Sequence, residues 1–107
     1  MYKHKRRRDR FYRSRGGTCQ ILEISCGACR AFRACYQKDG QGRLFRLYVD
    51  RLQIEGMPRC RFLMKGDMPL LKCEKCGLIM GIPMIYKPED RLAWRLVPGA
   101  WIAKRIK

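Results

Sequence analysis

Hydrophobic and polar residues alternate with a period of two along several short stretches, which is the pattern of half-buried β-strands. In residues 19–38 the alternation runs before and after Cys26-Gly27-Ala28-Cys29, which predicts two strands joined by a tight turn. Further strands are predicted at 70–72, 78–87 and 92–97, between turns that contain Gly or Pro. We therefore expect a small, mainly-β fold with an antiparallel sheet.

Residues 43–55 fit two patterns at once. Phe45, Leu47 and Val49 alternate as in a strand, whereas Leu44, Leu47 and Leu52 also lie on one face of a helix. An Asp-Gly turn precedes the segment, so a strand is the prediction and a helix is the alternative.

Both ends of the sequence are basic and lack apolar periodicity. Residues 1–18 contain eight Lys or Arg and one Asp, and residues 104–107 are basic as well. Such segments do not bury enough apolar surface to fold alone. We expect a flexible basic arm at 1–18 that becomes ordered on a partner, one domain at 19–103, and a short basic tail at 104–107.

The spacing of the cysteines carries the clearest chemical signal. Cys26 and Cys29 form one Cys-x-x-Cys pair, Cys73 and Cys76 form another, and 43 residues separate the pairs. Four thiolates in two such turns are the ligand set of a structural zinc site. Because protein would fill all four positions, the sequence predicts one structural Zn²⁺ and no catalysis at the metal. The alternative is two unrelated pairs; a thioredoxin-like redox pair is disfavoured, since no βαβ pattern surrounds either.

The two Cys-x-x-Cys turns differ in one respect. The residue after the second Cys often needs a positive φ, and Gly77 meets that need in the second turn. Arg30 stands at the same place in the first turn, where it could compensate thiolate charge. The first turn is therefore the less typical of the two.

Three further cysteines are interpreted as small buried hydrophobes: Cys19, Cys35 and Cys60. The alternative is a second metal site completed by His4. Trp94 and Trp101 are predicted to fill the core, with docking against RNA or a protein as the alternative.

The charge balance indicates the class of partner. Twenty-five Lys plus Arg stand against nine Asp plus Glu, which gives a net charge of +16 and a pI near 10.2. A polyanion is the simplest partner for such a surplus, with an anionic membrane surface or an acidic protein as alternatives. The residues predicted to bind nucleic acid are Lys3, Lys5, Arg6, Arg7, Arg8, Arg10, Arg13, Arg15, Arg30, Arg33, Lys104, Arg105 and Lys107.

Other classes of function lack a sequence signal. No nucleophile–base constellation and no phosphate-binding Gly loop can be assembled, so we expect neither an enzyme nor a small-molecule substrate. The longest apolar stretch, 78–86, is far shorter than the roughly 20 residues of a membrane span. With 107 residues the core is small, and a metal would supplement it.

The stretch YQKDGQGRLFRLYVDRL at residues 36–52 resembles the signature of a small, uncharacterised group of prokaryotic zinc-ribbon proteins. In that group a CxxC precedes a Tyr-Gln-Lys-x-Gly-x-Gly turn and an Arg-Leu-Tyr-x-Asp-Arg stretch, and a second CxxC follows. The stretch from CEKCG through RLAWRL is similar as well, so the resemblance covers residues 24–100. It implies a zinc ribbon and no activity. In general character the chain also resembles zinc-binding ribosomal proteins, which insert basic arms into rRNA.

The sequence therefore predicts a structural RNA-binding zinc ribbon, ribosomal or ribosome-associated, which binds rRNA in the cytoplasm and contacts neighbouring ribosomal proteins. One alternative is a transcription-associated ribbon that binds RNA polymerase or DNA. Another is a protein-interaction adaptor or a metal- or redox-handling protein. An organellar matrix is the alternative location, although the Arg-rich start lacks the Ser-rich pattern of a transit peptide.

Overall fold

The computed structural model describes residues 6–54 and 62–106. In these residues two antiparallel four-stranded sheets form most of the fold. Sheet A contains β1 (Cys19–Cys26), β2 (Phe32–Asp39), β4 (Leu52–Ile54) and β8 (Trp101–Arg105), in the order β4-β2-β1-β8. Sheet B contains β3 (Arg46–Tyr48), β5 (Leu71–Lys72), β6 (Ile79–Tyr86) and β7 (Arg91–Leu96), in the order β3-β7-β6-β5. The prediction of a small, mainly-β, antiparallel fold is confirmed, with two sheets in place of one.

Helical structure in the described residues is short. Helix α1 spans Arg10–Ser14, and 3₁₀ turns lie at Val49–Arg51, Lys65–Asp67 and Lys87–Glu89. None of these helices is long and apolar enough to cross a membrane, within the part of the chain that the structure describes.

The two sheets share one hydrophobic core. Ile24 and Tyr36 of sheet A belong to the same buried cluster as Leu47, Met80 and Trp94 of sheet B. Complete burial of such a side chain stabilises the fold by about 1.5–3 kcal/mol. The indole N–H of Trp94 donates to a backbone carbonyl at 2.8 Å, so its polar atom is satisfied inside the core. The prediction that Trp94 fills the core is confirmed.

The ambiguous segment 43–55 is where the chain passes from one sheet to the other. It forms β3 in sheet B, then the 3₁₀ turn Val49–Arg51, then β4 in sheet A. The turn buries both Val49 and Arg51. The strand prediction is confirmed for two short pieces, and only the 3₁₀ turn between them is helical.

The C-terminal tail predicted at 104–107 begins two residues too early. Strand β8 continues through Arg105 and pairs with β1, so that Lys104 lies opposite Glu23. The amide of Ile106 then donates to the carbonyl of Ile21 at 2.8 Å. Backbone pairing orders this end because β1 is an interior strand that needs a partner on each side. The sheet therefore extends past the predicted boundary at residue 103.

Residues 6–18, the described part of the predicted flexible arm, contact the sheets. The backbone N–H and carbonyl of Arg7 bond to the side chain of Gln37, both at 2.8 Å. The carboxylate of Asp9 caps α1 by accepting the N–H groups of Phe11 (3.1 Å) and Tyr12 (3.2 Å). The scattered Arg residues around Asp9 have no apolar periodicity, so the sequence did not predict a helix or its cap here. Residues 1–5 of the arm lie outside the described part of the chain.

Candidate metal centre and its charged surroundings

The structure brings together the four cysteines of the two Cys-x-x-Cys turns. Their Sγ atoms all lie within 4.8 Å of one another. The Sγ atoms of Cys26 and Cys76 are 3.6 Å apart, and those of Cys29 and Cys73 are 3.4 Å apart. Each of these contacts joins the turn after β1 in sheet A to the turn between β5 and β6 in sheet B. The four thiols could bind a metal ion that connects the two sheets.

The two turns have the same backbone hydrogen bonds. The amide of Cys26 donates to the carbonyl five residues later (2.9 Å), and the amide of Arg30 donates back to the carbonyl of Cys26 (3.0 Å). In the second turn Cys73 and Gly77 repeat both bonds at 2.9 and 3.0 Å. The turns are therefore two copies of one local structure.

This local structure requires a left-handed residue after the second cysteine. Gly77 has a φ of +77° and Arg30 has a φ of +65°. A side chain in that region costs roughly 1–2 kcal/mol because Cβ approaches the carbonyl oxygen. Arg30 thus adopts the conformation of Gly77 in spite of its Cβ, and the atypical residue strains the first turn without changing its shape.

Backbone amides within the turns favour thiolates. The Sγ of Cys26 accepts the N–H groups of Cys29 (3.5 Å) and Ala28 (3.3 Å), which lower the pKa of Cys26. The corresponding amides of the second turn, first that of Cys76, lower the pKa of Cys73 to about 6. Hydrogen bonds with the thiols of Cys73 and Cys26 raise the pKa values of Cys29 and Cys76, respectively, so a metal ion that binds here would displace their protons.

The first turn packs tightly against the start of β8. The amide of Gly27 donates to the carbonyl of Ala100 at 2.9 Å. A Cβ on Gly27 would lie 2.4 Å from the carbonyl oxygen of Gly99, which no real contact allows. Glycine is needed here for close approach, since its φ is not positive. The candidate metal site is thereby packed against β8, the neighbour of β1 in sheet A.

The other described cysteines lie away from this site. Cys35 is buried beside Ile21, and Cys19 is half-buried. Burial raises the pKa of both thiols. In residues 6–54 and 62–106 no second group of metal-ligating side chains is found, and both Cys60 and His4 lie outside those ranges. The interpretation as buried hydrophobes is confirmed for Cys35.

A buried ion network lies next to helix α1. The guanidinium of Arg51 is fully buried and contacts the carboxylates of Asp9 (2.6 Å), Asp39 (2.9 Å) and Asp50 (3.3 Å). The interpretation that Asp39 serves a turn is therefore incomplete, since its carboxylate anchors Arg51. Such a charge is tolerated inside a protein only when it is paired.

A second arginine extends the network. Arg91 contacts Asp50 (2.8 Å) and Glu89 (3.2 Å), and Arg15 contacts Glu89 at 2.7 Å. The guanidinium of Arg91 also lies over the rings of Tyr48 (3.7 Å) and Phe11 (4.0 Å). Those stacking contacts attach α1 to sheet B.

The network removes negative charge from the surface. It contains four carboxylates and three guanidinium groups, a net charge of −1, so the rest of the chain carries +17. Four of the nine acidic residues thus belong to this network. The formal net charge understates how basic the remaining surface is.

The structure divides the residues predicted to bind nucleic acid into three groups. The exposed ones are Arg6, Arg7, Arg8, Arg10, Arg13, Arg30, Lys104 and Arg105. Two are half-buried and bound to protein: Arg15 to Glu89, and Arg33 to the carbonyl of Lys72 (2.7 Å) and to Glu74 (3.6 Å). Lys3, Lys5 and Lys107 lie outside the described residues.

The two basic ends lie near each other. Arg7 contacts Gln37, which lies opposite Ile21 in the β1–β2 pair. Ile106, directly after β8, contacts Ile21 from the opposite side of β1. The exposed arginines of residues 6–8 and the cations at 104–105 therefore flank the same part of β1.

Comparison with protein-family models, with curated proteins and with solved structures gives no match for this chain. The resemblance to the zinc-ribbon group stays a prediction.

Proposed function

We propose that this chain is an RNA-binding protein, ribosomal or ribosome-associated, whose two sheets are held together by one structural Zn²⁺. The observation that carries the proposal is the separation of charge. Four carboxylates lie in the ion network, while exposed cations from both ends of the chain flank β1. RNA supplies the dense negative charge that such a surface attracts.

The geometry of the thiols supports zinc. A tetrahedral ion with bonds of about 2.3 Å to sulfur places the sulfurs roughly 3.8 Å apart. The facing Sγ pairs, at 3.6 and 3.4 Å, are slightly closer than that separation, so a small outward shift of these sulfurs suffices. Four sulfur donors also suit an iron–sulfur cluster, which metal analysis distinguishes.

Metal analysis of the purified full chain tests the zinc part. We expect one zinc per chain by plasma mass spectrometry and a bound metal that survives gel filtration. Bound iron, or a folded protein without metal, would refute the zinc proposal. RNA binding is tested separately by the next measurement.

Binding to RNA is tested by fluorescence anisotropy across a salt series. For single strands, log K falls with log salt by about 0.7 for each phosphate that is neutralised. We expect a steep slope for the wild type and a slope reduced by about 2 when Arg6, Arg7 and Arg8 are all changed to Gln. Lys65→Gln, at an exposed position of the 3₁₀ turn Lys65–Asp67, is the control and should leave the slope nearly unchanged.

Fractionation of a lysate on a sucrose gradient tests the ribosomal part. We expect the protein in a ribosomal-subunit fraction at low salt and its release at high salt. Migration with RNA polymerase would contradict the ribosomal role and favour a role in transcription.

A further inference from the structure

Two neighbouring cavities open where β3 enters sheet B, and Phe45 and Arg46 line both of them. The smaller, about 260 Å³, is lined largely by polar side chains that include Lys38, Gln41 and Arg43. The larger, about 500 Å³, has walls that are mostly apolar: Ile82, Met84, Leu96, Val97 and Pro98, with Arg95 beside them. A basic recess and an apolar recess therefore adjoin each other across one aromatic side chain.

The position of Phe45 is fixed although its ring is exposed. Its carbonyl accepts the amide of Leu96 at 3.0 Å, which attaches the backbone to the end of β7. The side chain is nevertheless 58% exposed, more than most aromatic residues of a folded domain. An exposed ring on a backbone that is hydrogen-bonded to β7 is suited to stacking against a planar ligand.

Two guanidinium groups of the smaller cavity stack on aromatic rings. The guanidinium of Arg43 lies 5.8 Å from the Phe45 ring centre, and that of Arg46 lies 4.1 Å from the Tyr86 ring centre. Within residues 6–54 and 62–106 neither Arg43 nor Arg46 contacts a carboxylate. Asp39 also lines the smaller cavity, but its carboxylate is held by Arg51 at 2.9 Å. Among the described residues no carboxylate therefore neutralises Arg43 or Arg46, and the recess attracts an anion.

We propose that one nucleotide of single-stranded RNA binds across these two cavities. Its phosphate contacts Arg43 and Arg46 in the basic recess, and its base stacks on Phe45 beside Ile82 and Met84. A base in a duplex is already stacked and paired, so it cannot enter an apolar recess, whereas an unpaired base can. The inference rests on the proposed RNA-binding function and assigns to it a site away from the two basic ends.

The test uses the full-length, metal-loaded chain and a fluorescent single-stranded RNA of ten nucleotides. We expect Phe45→Ala to weaken binding on the order of 10- to 100-fold, because stacking on an aromatic side chain carries much of the affinity for an unpaired base. The salt slope should stay the same, since no phosphate contact is lost. Arg43→Gln should instead reduce the slope by about 0.7. Leu63→Ala, which removes an apolar side chain that is 95% exposed, is the control and should leave affinity unchanged.

The outcomes separate this site from the general function. If the wild type binds no RNA, the proposed function fails and the site with it. If the wild type binds RNA and Phe45→Ala binds equally well with an unchanged melting temperature, the site is refuted and the function stands. Equal affinity for a duplex of the same sequence also refutes it.

Photo-crosslinking gives a second test of the nucleotide site, and this test needs no variant protein. RNA that carries 4-thiouridine should crosslink to the peptide that contains Phe45. Crosslinks confined to residues 6–15 and 101–106 would overturn the assignment.

Discussion

Replacement of Asp9 separates two roles of one carboxylate. Asp9 caps helix α1 through the amides of Phe11 and Tyr12, and it also contacts the buried guanidinium of Arg51 at 2.6 Å. Asp9→Asn keeps a good N-cap but removes the ion pair, whereas Asp9→Ala removes both. The difference between the two variants isolates the cap.

The magnitudes follow from burial and from the remaining partners. Loss of an Asp cap costs about 1 kcal/mol. Loss of the ion pair costs less than a fully buried pair would, because the Asp9 side chain is 36% exposed and Arg51 keeps Asp39 and Asp50. After that discount for solvent screening, we expect about 1 kcal/mol for Asp9→Asn and about 2 kcal/mol for Asp9→Ala.

The dependence on pH has a defined sign. Burial opposes ionisation of Asp9, but the hydrogen bonds and charge of Arg51 and the backbone amide of Tyr12 outweigh it and lower the pKa of Asp9 to about 2 from 3.8. Because the folded-state pKa is the lower one, the stabilisation is complete above about pH 4 and is lost as the pH falls toward 2. The stability difference between wild type and Asp9→Asn should therefore be constant from pH 7 to 5 and shrink below pH 4.

Urea unfolding of the metal-loaded protein, followed by circular dichroism, measures these differences. The comparison is made at pH values at which both proteins keep their metal, because loss of the metal in acid would unfold both. Asp67→Asn, in an exposed turn, is the matched control and should have little effect. A stabilising ion pair at Asp9 is refuted if Asp9→Asn is as stable as the wild type, and a stabilising cap is refuted if Asp9→Ala is no less stable than Asp9→Asn.

Three further predictions concern the metal site. Chelation, or Cys76→Ser, should abolish the β-sheet signal in circular dichroism. Structural zinc contributes about 10–16 kcal/mol, which is as large as a typical folding stability of about 5–15 kcal/mol. A retained signal would contradict a structural role of the metal. Arg30→Gly should raise the free energy of unfolding of the zinc-loaded protein by up to about 1 kcal/mol, and Gly77→Ala should lower it by a similar amount. In both turns the strain of a side chain in the left-handed region outweighs the entropy that glycine adds to the unfolded chain. Changes of the same sign in urea unfolding would refute the equivalence of the turns. Gly27→Ala should lower the melting temperature and metal retention, because its Cβ would clash with the Gly99 carbonyl at 2.4 Å, and an unchanged melt would disprove that close packing.

The parts of the fold that the sequence predicted depend on local patterns. Alternation located most of the strands, and the two Cys-x-x-Cys spacings located the metal site, because both features repeat over a few residues. The ion network could not be found this way. Arg51 binds Asp9 and Asp39, which are 42 and 12 residues away, and nothing in the local pattern marks an Arg as buried. Strand β8 was not predicted for the same reason, since residues 104–105 have the pattern of a solvated tail and only the pairing with β1 makes them part of a strand.

The metal site and the proposed nucleotide site are connected through strand β6. Cys76 lies in the turn just before β6, and Ile82 and Met84 of the same strand line the apolar cavity. Gly81 pairs with Leu71 on β5 and with Leu96 on β7, and it lies against the Cβ of Trp94, so β6 is fixed from both sides and from the core. A metal ion bound by the four cysteines would hold the β5–β6 turn to the turn after β1, and would thereby keep the cavity wall in register without itself touching RNA. For this reason a loss of RNA binding on chelation would follow from the fold, while loss through Phe45→Ala with the metal retained would identify the binding surface.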